Sequence, residues 1–375
     1  MEIFLCYNSS NIVVLMIGGV ILIEATRYIG CLLGGAVGDA LGYPVEFMSY
    51  PEIVQAYGKR GITDLAVSES GKALISDDTQ MTLFTAEGLI WAKRVEKKNG
   101  YCNIAARCFY SYQRWLHTQD YPLADSEYQW VLDDKRLDIR SPLLKRPELF
   151  ARRAPGTTCL QALMDAKEQN YGTIEEPINN SKGCGGVMRV APVGLGLYSN
   201  PKKAYEIGCQ VAAITHSHPT GFISAGAFAS LIAHLLNGKT ILDAVLAVIN
   251  QIAQVPGGQE TLMLLRQAVD LYQAGEPSLE RLSSLGQGFV AEEALAIAVY
   301  AALCYSENLK RAVIFAVNHD GDSDSTGSIC GNIVGAYLGK SSVPQEWLAN
   351  LECEDVIEDM GLKLFEAYNL DRYRY

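Results

Sequence analysis

Two short stretches gather side chains able to do chemistry together. Asn318-His-Asp-Gly-Asp-Ser-Asp-Ser-Thr-Gly327 sets Asp320, Asp322 and Asp324 at alternate positions and follows them with Ser325 and Thr326. Ser76-Asp77-Asp78-Thr79 repeats the theme, with adjacent carboxylates between hydroxyls. Carboxylates this close repel one another unless a cation sits among them. Carboxylates and hydroxyls without Cys or a paired His form an oxygen-donor set suited to Mg²⁺, Mn²⁺ or Ca²⁺. A lone Asp-x-Asp is more often a solvated turn that caps a helix. A second acidic cluster shifts that balance, because helix dipoles alone do not offset so many carboxylates meeting in one site. An EF-hand beginning at Asp320 is excluded by spacing: its sixth and twelfth positions would be Ser325 and Gly331, where Gly and Glu are required.

Both clusters fall where helices begin. Ser76 is the expected N-cap of a helix running from Met81 to Lys98, with Asp77 and Asp78 in its first turn. The later cluster opens a helix stepped by Gly327, Gly331, Gly335 and Gly339. An earlier stretch repeats the device with Gly30, Gly34, Gly38 and Gly42, and Pro44 then ends the helix and leaves Glu46 in the loop beyond. Gly inside a helix costs about 1 kcal/mol against Ala. Two such stripes predict two buried helices in close contact. A membrane reading of them fails on Asp39 and Asn332.

The rest of the chain reads as further helices, at 103–118, 157–167, 201–216, 219–236, 240–253, 258–274, 288–304 and 307–317. The stretch 120–155 reads as a long irregular connection. Strand-like alternation is nearly absent, and the fold class expected is all-α, with one domain over 27–375. Residues 1–26 form an apolar extension, expected to be poorly ordered, with Met16 as the expected true start. Its run from Ile12 to Ile23 is too short to span a bilayer as a helix, and the first basic residue is Arg27.

The bulk numbers narrow the function. A formal net charge of −11 disfavours nucleic acid as a stable partner. Ten cysteines without a Cys-x-x-Cys pair argue against structural zinc and for a reducing, cytoplasmic setting. The glycine-rich Ser181-Lys-Gly-Cys-Gly-Gly186 lacks Walker spacing but is able to cradle an anion with backbone N–H groups. His216 and His218 lie in Thr-His-Ser-His-Pro, where a ligand contact and a structural role stand as equal readings.

Taken together, these segments resemble the ADP-ribosylglycohydrolases of the dinitrogenase-reductase-activating type. Five motifs match in order: Gly30 to Glu46, Ser76 to Gln80, Ser181 to Pro192, Thr215 to Pro219 and Asn318 to Gly327, with Ala291 to Ala298 also similar. The resemblance implies an all-α fold with a binuclear Mg²⁺ or Mn²⁺ centre at the base of an ADP-ribose cleft. It implies Ser76, Asp77, Asp78, Asp322, Asp324 and Ser325 as metal ligands, and Glu46 or Asp77 as the catalytic group. Ser181, Lys182, Gly183, Cys184, Gly185, Met188 and His216 would then contact the substrate. The implied activity is metal-dependent cleavage of the glycosidic bond between ADP-ribose and a protein or small-molecule acceptor, releasing ADP-ribose. The competing reading is a non-catalytic ADP-ribose-binding or structural member of the same fold. Two departures stand out: Asp320 occupies a position where many relatives carry Gly, adding charge near the centre, and Cys184 replaces an Asn found in some members.

Overall fold

A computed structural model describes residues 4–8, 11–15, 25–119, 141–166 and 170–369. The body is helical, as expected. Its helices are α1 (Ala25–Gly42), α2 (Tyr50–Tyr57), α3 (Asp77–Asn99), α4 (Ile104–His117), α5 (Thr157–Asp165), α6 (Ala191–Gly196), α7 (Pro201–Ala213) and α8 (Pro219–Leu236). They continue as α9 (Ile241–Ile252), α10 (Gln259–Gln273), α11 (Leu279–Ser283), α12 (Ala291–Cys304), α13 (Leu309–Val317), α14 (Ser323–Leu338), α15 (Gln345–Asn350) and α16 (Glu354–Asn369). The only strands among the described residues are β1 (Phe4–Asn8) and β2 (Asn11–Leu15), paired antiparallel inside the extension that the sequence reads as poorly ordered. Of the expected irregular connection, 120–140 lies outside the described residues, as does Lys167 at the end of the expected 157–167 helix; 141–155 carries two short 3₁₀ turns.

The two glycine-striped helices pack on each other. A Cβ at Gly331 would stand 1.9 Å from the Gly34 carbonyl oxygen, and one at Gly335 would stand 2.0 Å from that of Gly30. Only bare backbones fit so close an approach. The polar residues that interrupt the stripes are buried and bonded. Asn332 donates to the Cys31 carbonyl at 2.7 Å, and Asp39 serves the site described below.

The remaining helices wrap this pair. Arg27, at the start of α1, donates to the carbonyls of Ala336 at 2.7 Å and Leu235 at 2.9 Å, so one cation serves the C-terminal turns of α14 and α8. The C-terminal α16 closes over α1: Phe365 meets Tyr28 edge to face at 5.3 Å, and Asn369 donates to the Tyr28 hydroxyl at 3.1 Å. Helix α8 is long and apolar enough to cross a membrane by length and composition, but 83% of that span is buried inside the protein.

Candidate active site

The first acidic cluster is built as the sequence predicts and anchored as it does not. Ser76 caps α3, its hydroxyl accepting from the Asp78 N–H at 3.2 Å, with Asp77 and Asp78 in the first turn. The far end of α3 carries Lys97 and Lys98 and stops at Gly100, whose φ of +76° needs no Cβ. A second carboxylate, from α1, completes the start of α3. Asp39 accepts from the Ser76 N–H at 3.0 Å, from the Thr79 N–H at 3.1 Å and from the Thr79 hydroxyl. Asp39 is fully buried, and that burial pushes its carboxyl up to about 6 against the pull of those bonds. The only sequence sign of this role is a lone Asp within a glycine-striped apolar helix.

The second cluster mirrors the first. Asp322 caps α14 by accepting from the Ser325 N–H at 3.2 Å, and Asp324 accepts from the same N–H at 3.0 Å. His319 holds the loop from behind, bridging the Asp320 carbonyl at 3.0 Å and the Thr326 hydroxyl at 2.9 Å. Asp320 is not among the residues that line the cleft. Its carboxylate accepts from the Tyr50 N–H at the start of α2, a partner too distant in sequence to be read locally.

The two helix starts face each other. The Ser325 hydroxyl stands 3.4 Å from the Asp78 carboxylate, and the Cys184 thiol donates to Asp322 at 2.8 Å. Between them lies a cleft of about 210 Å³, reached by Glu46, Asp77, Asp78, Asp322, Asp324 and Ser325. Gly183, Cys184, Gly185, Met188 and His216 also line it. Three expected site residues do not line the cleft. Ser76 is buried beside it, its hydroxyl 3.5 Å from the Asp78 carboxylate, and Ser181 lines a neighbouring cavity of about 630 Å³. Lys182 is held by Glu260 at 2.6 Å and by Glu292.

Two aromatic residues that sequence reasoning passed over also line the cleft. Phe47, exposed and with φ +67°, stacks on Phe289 at 5.8 Å. The Phe289 segment ties the walls together, since its carbonyl accepts from the Cys184 N–H at 3.2 Å and the Gln287 carbonyl accepts from the Asp322 N–H at 2.8 Å. His218 stands apart and caps α8, its Nδ1 accepting from the Thr220 N–H at 3.1 Å.

The electrostatics follow from burial. Desolvation, then neighbouring carboxylates, hold Asp77, Asp78 and Asp324 well above the usual range, and raise Glu46 from 4.5 to about 9. Among the described residues, no Lys or Arg lines the cleft. One Asp78 oxygen is buried without a hydrogen-bond partner. A hard divalent cation fits this donor set, all oxygen and short of positive charge. As placed, no three His, Cys, Asp or Glu groups among the described residues close round one point. Burial, then Arg189, pushes His216 down to about 3, so its ring is neutral.

These shifts set a pH dependence. In the unfolded chain the carboxyls ionise near ordinary values, while in the folded chain Asp39 keeps its proton to about 6 and Glu46 to about 9. The folded protein then binds more protons than the unfolded, so its stability falls as pH rises through that window. Calorimetry in EDTA should show the melting temperature dropping from pH 5 to pH 9, with Mg²⁺ largely removing the slope. A flat profile in EDTA contradicts the buried repulsion.

The chain is helical throughout its body and built round an acidic cleft. It belongs to the ADP-ribosylglycohydrolase family, whose profile matches residues 23–374. The match extends beyond the motifs to include the C-terminal helix. It is 24% identical over 328 residues to the ADP-ribosyl-[dinitrogen reductase] glycohydrolase of Rhodospirillum rubrum, covering 87% of this chain and 90% of that protein. It is 26% identical over 381 residues to ADP-ribosylhydrolase ARH3 of Gallus gallus, covering 91% and 93%. A solved structure described as an ADP-ribosylglycohydrolase-related protein complex shares the fold, with a TM-score of 0.59 at 19% identity over 92% of this chain and 98% of that one.

Proposed function

We propose that this protein is a metal-dependent hydrolase that cleaves the glycosidic bond between ADP-ribose and an acceptor, a protein side chain or a small molecule, and releases ADP-ribose. The observation that carries this reading is the meeting of two acidic helix N-termini across one cleft, with Ser325 3.4 Å from Asp78, in a chain of this family. Two Mg²⁺ or Mn²⁺ ions are the proposed cofactor, held by Asp77, Asp78, Asp322, Asp324 and Ser325, with the Ser76 hydroxyl behind them. Bound there, such ions would supply positive charge for holding the ribose diol and for acidifying a water.

The protein's own residues do the rest. Bond cleavage at the anomeric carbon passes through an oxocarbenium-like state. Glu46, half-buried at the cleft wall, takes the proton of the attacking water once positive charge beside it lowers its raised pKa. The Ser181–Met188 loop is the proposed cradle for the pyrophosphate, which would reconcile an anionic ligand with an acidic protein. The nine cysteines from Cys31 to Cys353 are free thiols, in keeping with the proposed reducing, cytoplasmic setting.

The test is release of free ADP-ribose from arginine-, serine- and DNA-linked substrates. Turnover of one linkage identifies the acceptor. Tight ADP-ribose binding without release from any would instead favour a non-catalytic reader.

A further inference from the structure

Behind the cleft lies a buried cation without an anionic partner. Arg189 is fully buried, yet it forms no ion pair among the described residues. Its guanidinium lies 4.3 Å from the Tyr112 ring centre and donates to the Val211 carbonyl at 3.2 Å and the Thr215 hydroxyl at 2.7 Å. Weaker contacts reach the sulfurs of Cys159 at 3.5 Å and Met81 at 3.6 Å, and its Nε has no partner. A cation held in this way is expensive to bury. What it holds is Thr215, and Thr215 in turn lies 2.8 Å from Nδ1 of His216.

Donor and acceptor roles along this chain are set by elementary chemistry. A guanidinium only donates, so the Thr215 oxygen must accept from Arg189. The single hydroxyl proton of Thr215 is then free to go to His216 Nδ1. The rival acceptor is the Cys159 sulfur, which is a weak one. A histidine nitrogen that accepts leaves its proton on the other nitrogen. That nitrogen, Nε2, makes no hydrogen bond among the described residues, and its ring lines the cleft. A Cβ at Gly183 or Gly185 would stand 3.4 Å from it, so the glycine loop leaves that edge of the ring uncovered.

We infer that Arg189 and Thr215 are positioning residues that lock His216 in the Nε2–H tautomer, making it a fixed neutral donor aimed at a ligand oxygen in the cleft. The identity of that ligand as ADP-ribose rests on the function proposed above, whereas the tautomer does not.

The imidazole nitrogen spectrum of ¹⁵N-labelled full-length protein reads the tautomer directly. Wild type is expected to show His216 Nδ1 as the pyridine-type nitrogen and Nε2 as the protonated one. Thr215→Val should populate both tautomers and weaken ADP-ribose binding about tenfold, the scale of one good hydrogen bond. Thr215→Ser, which keeps the hydroxyl, should restore both readouts. A proton on Nδ1 in wild type overturns the proposal even if Thr215→Val fails to fold, and so does an unchanged tautomer in a folded Thr215→Val. If wild type shows the expected tautomer but binds no ADP-ribose, the relay stands and the reading of the cleft falls.

Discussion

Asp78→Ala is expected to abolish ADP-ribose release while raising the melting temperature of the metal-free protein. Asp78 is only 2% exposed, one of its oxygens lacks a partner, and the other stands 3.4 Å from the Ser325 hydroxyl. Burial and the carboxylates of Asp77, Asp39, Asp322 and Glu46 all raise its pKa. In the metal-free protein its charge is therefore a liability, and removing it relieves repulsion. In the proposed metal centre it is a ligand, and losing it should lower turnover on the order of a thousandfold or more, the scale of several kcal/mol of charge stabilisation. Calorimetry with and without Mg²⁺, beside product release, separates the two effects. An ordinary buried hydrogen-bonding residue would do the opposite: its loss would lower stability and leave turnover largely intact. Asp324→Ala, at the facing helix start, should behave as Asp78→Ala does.

Gly331→Ala should give the largest loss of stability of any single methyl added to the chain's helices. Its Cβ would meet the Gly34 carbonyl oxygen at 1.9 Å and the Gly34 carbonyl carbon at 2.5 Å, and backbone has nowhere to rotate. The gain in helix propensity, about 1 kcal/mol, offsets only part of the overpacking. The net expectation is about 3 kcal/mol or more, read from denaturant unfolding. Position along the stripe should then separate stability from activity. Gly42 abuts the Ser323 carbonyl, where a Cβ would stand 2.3 Å away, directly beside the second acidic cluster. Gly42→Ala should therefore impair turnover as well as stability, whereas Gly335→Ala, at the other end of the helix pair, should cost mainly stability. Wild-type stability in Gly331→Ala would show that the helices are not in backbone contact.

The contrast between Ser76 and Asp39 shows what the sequence made legible. Ser76, Asp322 and the carboxylates beside them are legible because capping is local: hydroxyl or carboxylate and the N–H it accepts from lie within three residues. Asp39 does the same work for Ser76 and Thr79 across 37 and 40 residues of chain, so nothing near it announces the role. Asp320 is the same case at greater range, its partner Tyr50 being 270 residues away. The paired glycine stripes were legible because their period is itself a packing instruction. The Phe47–Phe289 stack was not, because two isolated exposed aromatics acquire meaning only when the fold brings their rings to 5.8 Å. The position of Lys182 depends likewise on Glu260 and Glu292, which approach it only in the folded chain.

The central claim is that this acidic cleft is a divalent-cation centre that cleaves ADP-ribosyl bonds. Its most direct test follows ADP-ribose release from the preferred linkage while ions are stripped with EDTA and then returned as measured amounts of Mg²⁺ or Mn²⁺. The account predicts loss of turnover on stripping and recovery that saturates at two ions per chain. Undiminished release in EDTA, from a protein shown to be metal-free, would contradict it.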